Sequence, residues 1–581
     1  MRHLITMLAV CVATSSCTSV LEKDPFDSIN SDNFFKTEAD LELYANGFIQ
    51  RMIPAWDAIV FGDNFSDIAA TNASTVYLTG AWTADDQGGW GVGNWQDLRN
   101  INYFLDHIDR AEVSDEIRQH YEGVGRFWRA WFYYDKVRTF GDVPWYEHAL
   151  DPADETLYKG RDAREFVMAK VLEDLTYAAT HCVATKDASA SNITKWVALA
   201  FKSRVALFEG TYRKYHTELG LTATADGLLQ EAAVAARTLM DAGVYTLVNS
   251  SANLESQYRS LFTSETINSM EVLLANNFND ALSRWHSATW HYNSGSAAAR
   301  TSLTKQFINT YLYLDGSRFT DQPDYDRMVF DDEVHNRDYR LKQTIRTAGY
   351  TRTVGGVAGT PVAPNFAVTL TGYHPIKWSL DHDRHDGSAN SYNSLPILRY
   401  AEVLLNYAEA MAELGQMDES VWNTTIRPLR ERAGVDGSAP ETYDPYLQAY
   451  YLNQTNDKWI LEVRRERGIE LVLESLRYDD IMRWKLGELL TRPWHGLYVP
   501  ALDQPLDLNA DGTYDVVVSA APLAGINYYN VVLADRFTLT DGTHGNLIYH
   551  VVRNWEDKKY LRPIPTSAIT DNSNLSQNPD W

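Results

Sequence analysis

Two clusters of tryptophan among short polar side chains are the residues of this chain best suited to chemistry. Asp67, Asn72, Trp82, Asp85, Asp86 and Trp90 fall in one glycine-rich stretch, and Trp285, His286, Trp290, His291 and Tyr292 in another. An indole offers a wide apolar face and one N–H at its edge. It can lie against the apolar face of a small ligand while carboxylates and amides meet polar groups at its rim. Asp67, Asn72, Trp82, Trp90, Trp285, Trp290 and Tyr292 are therefore the candidate ligand-binding residues, with ordinary burial the competing reading for each ring. Trp95, Trp128, Trp131, Trp196 and Trp484 lie on helical faces and are expected in the core.

Two other patterns could hold a cation. Asp507, Asn509 and Asp511, followed by Gly512 and Asp515, place oxygens at alternate positions before a glycine turn, as the first half of a calcium loop does. Val518 stands where a bidentate Glu is needed, so an Asp/Asn–Gly turn is the simpler reading and Ca2+ the alternative. His374, Asp381, His382, Asp383 and His385 have no zinc spacing and read as a solvated loop. The sequence has no G-x-S-x-G, no phosphate-binding glycine loop and no H-E-x-x-H. No catalytic residue is assigned and no cofactor is required, although a carboxylate pair for glycoside hydrolysis is spatial and invisible to spacing.

The first residues bear on location. Met1-Arg2-His3 precedes an apolar run from Leu4 to Ala13, then Thr14-Ser15-Ser16 and Cys17. One basic residue, a short apolar stretch and small residues describe a secretory signal over 1–16. Cys17 directly after them reads as a bacterial lipoprotein site, with outer-membrane lipid as the partner of its acyl chains. Thr14 departs from the usual leucine, and Cys11 is the competing site. Residues 17–30 read as the lipidated start and a polar tether. Only Cys17, acylated, and Cys182 would remain, so no internal disulfide is expected.

Composition narrows the class. Fifty-two basic against 77 acidic residues leave a net charge of −25, which repels polyanions and argues against nucleic acid. The 17 Trp, 34 Tyr and 20 Phe need a core or a ligand to cover them, which argues against disorder. After the first 13 residues no apolar run approaches the ~20 residues a membrane helix requires.

Helices must position these clusters. Three- and four-residue spacing predicts helices from about Ser31, then over 96–108, 117–140, 162–180, 194–212 and 227–242. Their spacing suggests a tetratricopeptide-like stack. Residues 59–93 read as a long ordered loop, 270–275 as a strand and 276–393 as a loop-rich insert. Helices are expected over 395–414, 424–433, 458–475 and 478–490, short strands over 494–560, and an extended tail after that. Arg399, Glu402, Glu409, Glu466, Glu470 and Glu474 read as an ion-paired packing network, not a site.

Six stretches, in order, name a family. Leu21-Glu22-Lys23-Asp24-Pro25 follows Cys17. Arg126 to Tyr133 with Phe140-Gly141-Asp142-Val143-Pro144, Leu398 to Ala410, and Ile426 to Gly434 come next. Arg465 to Leu471 with Leu476 to Trp484, and Tyr560 to Pro565 with Gln577 to Trp581, complete the set. Together they resemble the SusD/RagB family of nutrient-binding outer-membrane lipoproteins, with Asp580 where that family usually has Gly. The resemblance implies a mainly α, tetratricopeptide-like superhelix carrying loop-rich and short-strand inserts. Residues 31–245 would be the N-terminal SusD-like helical region, and 246–581 the C-terminal region with inserts over 276–393 and 494–560. It also implies a surface-exposed, lipid-anchored protein that captures an oligosaccharide, or a peptide, for a SusC-like TonB-dependent transporter barrel. An arc of loop aromatics would hold the ligand. The opposing reading is a surface glycoside hydrolase using loop carboxylates, and a lid with little affinity of its own is a third.

Overall fold

The computed structural model describes residues 34–581, except 74, 75, 81 and 535 and the side chain of Val76. Cys17, the signal segment and the tether lie outside the described residues. Seven helices form the N-terminal stack: α1 (Glu38–Met52), α2 (Trp56–Phe61), α3 (Val92–His107), α4 (Asp115–Phe140), α5 (Arg164–His181), α6 (Lys195–Tyr215) and α7 (Ala225–Ala242). From α3 onward each packs on the next. The Ser114 hydroxyl accepts from Ile117 N–H to start α4, and Thr194 caps α6 likewise. Gly141, at φ 77°, stops α4. Gly123 lets α4 lie against Cys182, since a Cβ there would stand 2.8 Å from its Sγ. Among the described residues no helix is long and apolar enough to cross a membrane.

The second half supplies α8 (Tyr400–Glu413), α9 (Glu419–Arg432), α10 (Lys458–Glu470) and α11 (Arg477–Arg483). Helix α8 packs against α6, α7, α9 and α10 and so joins the two halves. Strands are short and scattered. Within the second half, β2 (Val272–Asn276) pairs antiparallel with β6 (Leu395–Arg399). β1 (Ala69–Ala70) pairs with β3 (Ser302–Leu303). β4 (Thr351–Val354) and β5 (Val357–Pro361) form a hairpin across Gly355-Gly356 inside the insert.

The expected helix over 395–414 is corrected at its start. Its first five residues are strand β6, and the helix runs only from Tyr400. The buried β2 edge takes Leu395, Pro396, Leu398 and Arg399 in extended form, and this pairing overrides the helical start. The helix expected over 458–475 ends at Glu470, because Leu473 and Ser475 turn through left-handed backbone (φ 62° each). That expected over 478–490 is α11, a break at Lys485 (φ 55°) and a 3-10 turn. The tail contains a further helix, Thr566–Asp571, and the 59–93 stretch holds short helical turns rather than loop alone.

The acidic helix faces are a buried network. Glu470 accepts from Arg340 at 3.0 Å, Arg399 at 2.6 Å and also Arg432. Glu474 accepts from Arg399 and Lys377, each at 2.7 Å. Glu409 takes Arg483 and the Trp484 indole N–H. These charges hold helices together, and all but Glu474, which reaches the groove wall, are buried.

Candidate functional site

Helix α2 touches the second cluster with some residues and, with others, a groove that Trp82 lines. Its Ala58 and Ile59, with Gly62 just beyond, line a half-open groove of about 410 Å³, within the size of small-molecule sites. Other parts of α2 serve the second cluster. Phe61 stacks on His291 at 3.9 Å, Trp56 lies 6.2 Å from the His286 ring, and Val60 C=O accepts from the Tyr292 hydroxyl. Thr301 donates to Asn64, and β1 with β3 completes the seam.

Trp82 lies on the groove wall, held edge-on by Tyr77 at 4.9 Å and by Trp581 at 5.7 Å. Trp131, stacked on Phe201 at 4.4 Å, and Tyr134 add rings from α4 and α6. Trp131, expected in the core, is instead half-buried and faces the groove. The sequence carried a signal for this: Asp135 and Arg138 follow it at i+4 and i+7 on the same helix face, which a core stripe would not tolerate.

The groove's charges are mostly bound to one another. Arg138 donates to Asp135 at 2.7 Å and also to Asp479. Arg204 is committed to Glu402 at 2.6 Å, and Glu474 to the buried network. Burial pushes the Asp479 carboxyl above its ordinary range, and Arg138 only partly offsets this.

The other candidates separate. Asp67 is sequestered: Arg477 bonds it at 2.8 and 2.9 Å and the Tyr450 hydroxyl at 2.6 Å. Burial raises its carboxyl, but Arg477 overrides this and holds it below the usual range. Tyr292 is 1% exposed, with its hydroxyl spent on Val60. As placed, neither side chain is open to a ligand, because fold-building partners have already taken its polar atoms. Asn72 is exposed and accepts from the Tyr549 hydroxyl at 2.6 Å. Trp285 keeps 41% of its surface, its N–H on Asp280, and half-buried Trp290 donates to Ser296.

Trp90 belongs elsewhere. It is 8% exposed, edge-on to Phe140 at 5.0 Å, in the wall of a second cavity of about 830 Å³ between α3 and the C-terminal helix. Trp95, also expected in the core, lines that cavity half-buried.

The residues of the two cation patterns bond within the chain. Asp507 accepts from Gly512 N–H and Asn509 N–H, Asp511 from Thr513 N–H, and Asp515 from Leu508 N–H, which is a self-closed turn. Asp381 pairs with Arg259, and His374 is buried against the Tyr292 carbonyl. No group of three or more His, Cys, Asp or Glu among the described residues is placed to hold a metal.

Two family models match the chain. One, described as the SusD family, covers residues 263–581. The other, described as starch-binding associating with outer membrane, covers 21–207. Among curated relatives, SusD-like protein P38 of Formosa agariphila is 22% identical over 85% of this chain and 93% of its own length. SusD-like protein P2 of the same organism is 24% identical over 85% and 92%. A SusD-like protein of Bacteroides fragilis superposes with TM-score 0.69 at 21% identity, covering 96% of this chain and all of that one. A SusD-like carbohydrate-binding protein of the same species gives 0.68 at 21%, over 94% and 100%.

Proposed function

Because this chain belongs to the SusD family, we propose that it is a nutrient-capture protein of the outer membrane. It binds an oligosaccharide in the groove beneath Trp82 and passes it, unchanged, to a SusC-like TonB-dependent transporter barrel. Acylated Cys17 anchors it at the cell surface. The observation that carries this reading is the groove itself: Trp82, Tyr77, Trp131 and Tyr134 around a half-open space with charges at its edge. Rings of that kind cover the apolar faces of sugars, and polar groups at the rim fix orientation. The carbohydrate binding named for the Bacteroides fragilis relative is in keeping with it. Asn72 and Trp285, which are exposed, and half-buried Trp290 would serve a longer ligand that passes α2.

Capture without cleavage fits the carboxylates. Asp135 and Asp479 both bond the Arg138 guanidinium. A glycosidase needs one carboxyl free to give its proton and a second free to activate water or attack. The test is calorimetry of the full-length chain against oligosaccharides and peptides, with product analysis of the same samples. An oligosaccharide is expected to bind and be recovered intact, and Trp82→Ala to weaken it about tenfold or more. Cleaved ligand, or binding that Trp82→Ala leaves unchanged, overturns the reading. Trp285→Ala then reports whether the ligand crosses α2.

A further inference from the structure

One guanidinium in the groove makes no close ion pair among the described residues. Arg562 lines the wall beside Trp82 and is exposed. Its guanidinium carbon lies 5.6 Å from the Tyr77 ring and 5.9 Å from the Trp82 ring. Among the described residues no carboxylate comes within 4.0 Å of its guanidinium nitrogens. Its backbone is fixed at both ends, by Arg562 N–H to Thr139 C=O at 2.8 Å and by the Asn578 amide on its carbonyl at 2.6 Å. The side chain is thus delivered to a set place with its donors unspent. Its nearest anionic neighbours are already engaged. Asp135 and Asp479 are bonded to Arg138, and Arg204 takes Glu402. Reduced hydration in the groove works to raise the carboxyl of exposed Asp135, but Arg138, helped by Lys136 and Arg562, outweighs it and holds that carboxyl below its ordinary range.

We propose that Arg562 is a specificity determinant for an acidic oligosaccharide, its guanidinium receiving a carboxylate or sulfate of a sugar ring stacked on Trp82. This rests on the reading of the groove as the ligand site and adds the ligand's class. A guanidinium presents paired N–H donors that match the two oxygens of a carboxylate or a sulfate. The adjacent ring sets a sugar face at the distance from which such a group can reach it. The chain's net charge of −25 makes the point sharper. A protein that repels polyanions at long range needs a local cation to accept an acidic ligand, and Arg562 is that cation in the groove.

The full-length chain is titrated with four probes of similar length at low and moderate salt. They are oligogalacturonate, its carboxyl-reduced neutral counterpart, a sulfated galacto-oligosaccharide and oligoglutamate. One or both acidic sugars are expected to bind about tenfold tighter than the neutral one, with the advantage shrinking as salt rises. Carboxylate and sulfate are told apart by which of the two leads. Arg562→Gln is expected to bring the acidic sugars down to about the affinity of the neutral sugar measured in the same variant, Arg562→Lys to retain part of the advantage, and Trp82→Ala to weaken all sugars. An equal or tighter neutral sugar overturns the inference and leaves the groove intact as a site. An acidic preference that survives Arg562→Gln does the same. Oligoglutamate binding in place of the sugars overturns the sugar class. Binding of none, or binding indifferent to Trp82→Ala, overturns the premise and the inference together.

Discussion

At the residue scale the chain keeps one carboxylate in a costly place. Asp63, at the turn after α2, has no solvent exposure, and neither oxygen meets a donor at full hydrogen-bonding geometry. Burial pushes its carboxyl up to about 7, although Leu473 and Arg477 N–H groups and the charges of Lys377 and Arg477 pull the other way. Its ordinary value is 3.8, so between those two pH values the unfolded chain has released a proton that the folded chain still holds. Stability then falls as pH rises through that window and levels off above it. Between pH 5 and 7 the loss from this group is roughly 2 kcal/mol. Asp63→Asn cannot ionise, so its urea midpoint is expected to fall less from pH 5 to 8 and to exceed the parent's at pH 8. Equal slopes in parent and variant would rule this account out. Spacing does not reveal such a group, because what makes Asp63 unusual is the 473–477 loop folded over it. The same blindness placed Asp67 among ligand residues, when Arg477, 410 positions later, had claimed it. Trp131 was expected in the core, although the charges that share its helix face carried the signal for its half-buried place on the groove.

At the element scale the groove depends on how closely two segments approach. A Cβ on Gly62 would stand 2.1 Å from Ser475 Oγ and 3.1 Å from Ser475 Cα. Ser475 in turn donates to the Ala58 carbonyl at 2.7 Å and holds φ 62°, a conformation glycine adopts more readily. Gly62→Ala must push α2 off the 473–476 loop, both of which line the groove. It is expected to cost about 1–3 kcal/mol of stability and to weaken oligosaccharide binding. Ser475→Gly removes the colliding atoms, so the double variant is expected to be more stable than the two single effects sum to. Additive effects in that cycle would show that the two positions do not touch. Periodicity foresaw the long helices of the stack because their apolar stripes repeat over several turns and local rules suffice. It failed at Leu395–Arg399, where a short apolar run has no period of its own and a strand more than 100 residues earlier decides the conformation. It failed again at Leu473 and Ser475, where left-handed backbone is imposed by packing and not by a glycine.

At the scale of the whole molecule the sequence suggested two regions meeting near residue 245, and the contacts argue that they fold as one. Leu273, Leu398, Val403, Ala410, Ile564 and Leu575 belong to the same apolar cluster as the cores of α3 to α7. Ion pairs cross the boundary at Arg204–Glu402, Lys214–Glu413, Arg138–Asp479 and Asp67–Arg477. Separating the halves would take from Glu402 and Asp67 the cations that neutralise them, and breaking one such buried pair costs about 3–5 kcal/mol. The whole-chain architecture was legible because six motifs keep their order. The mutual dependence of the halves was not, since it resides in pairs about 200 to 400 residues apart. The full chain is therefore expected to unfold in a single calorimetric transition whose van't Hoff and calorimetric enthalpies agree. A fragment ending at residue 245 is expected to lack cooperative melting, because it exposes the α6 and α7 faces that α8 covers. Two transitions, or a cooperatively folded fragment, would mean that the cross-boundary pairs decorate an interface between independent units. The groove, built from α2, α4, α6 and the 473–479 segment together, would then open and close with that interface. A single transition instead makes ligand binding and global stability rise together, so an oligosaccharide that fills the groove should raise the melting temperature of the whole molecule.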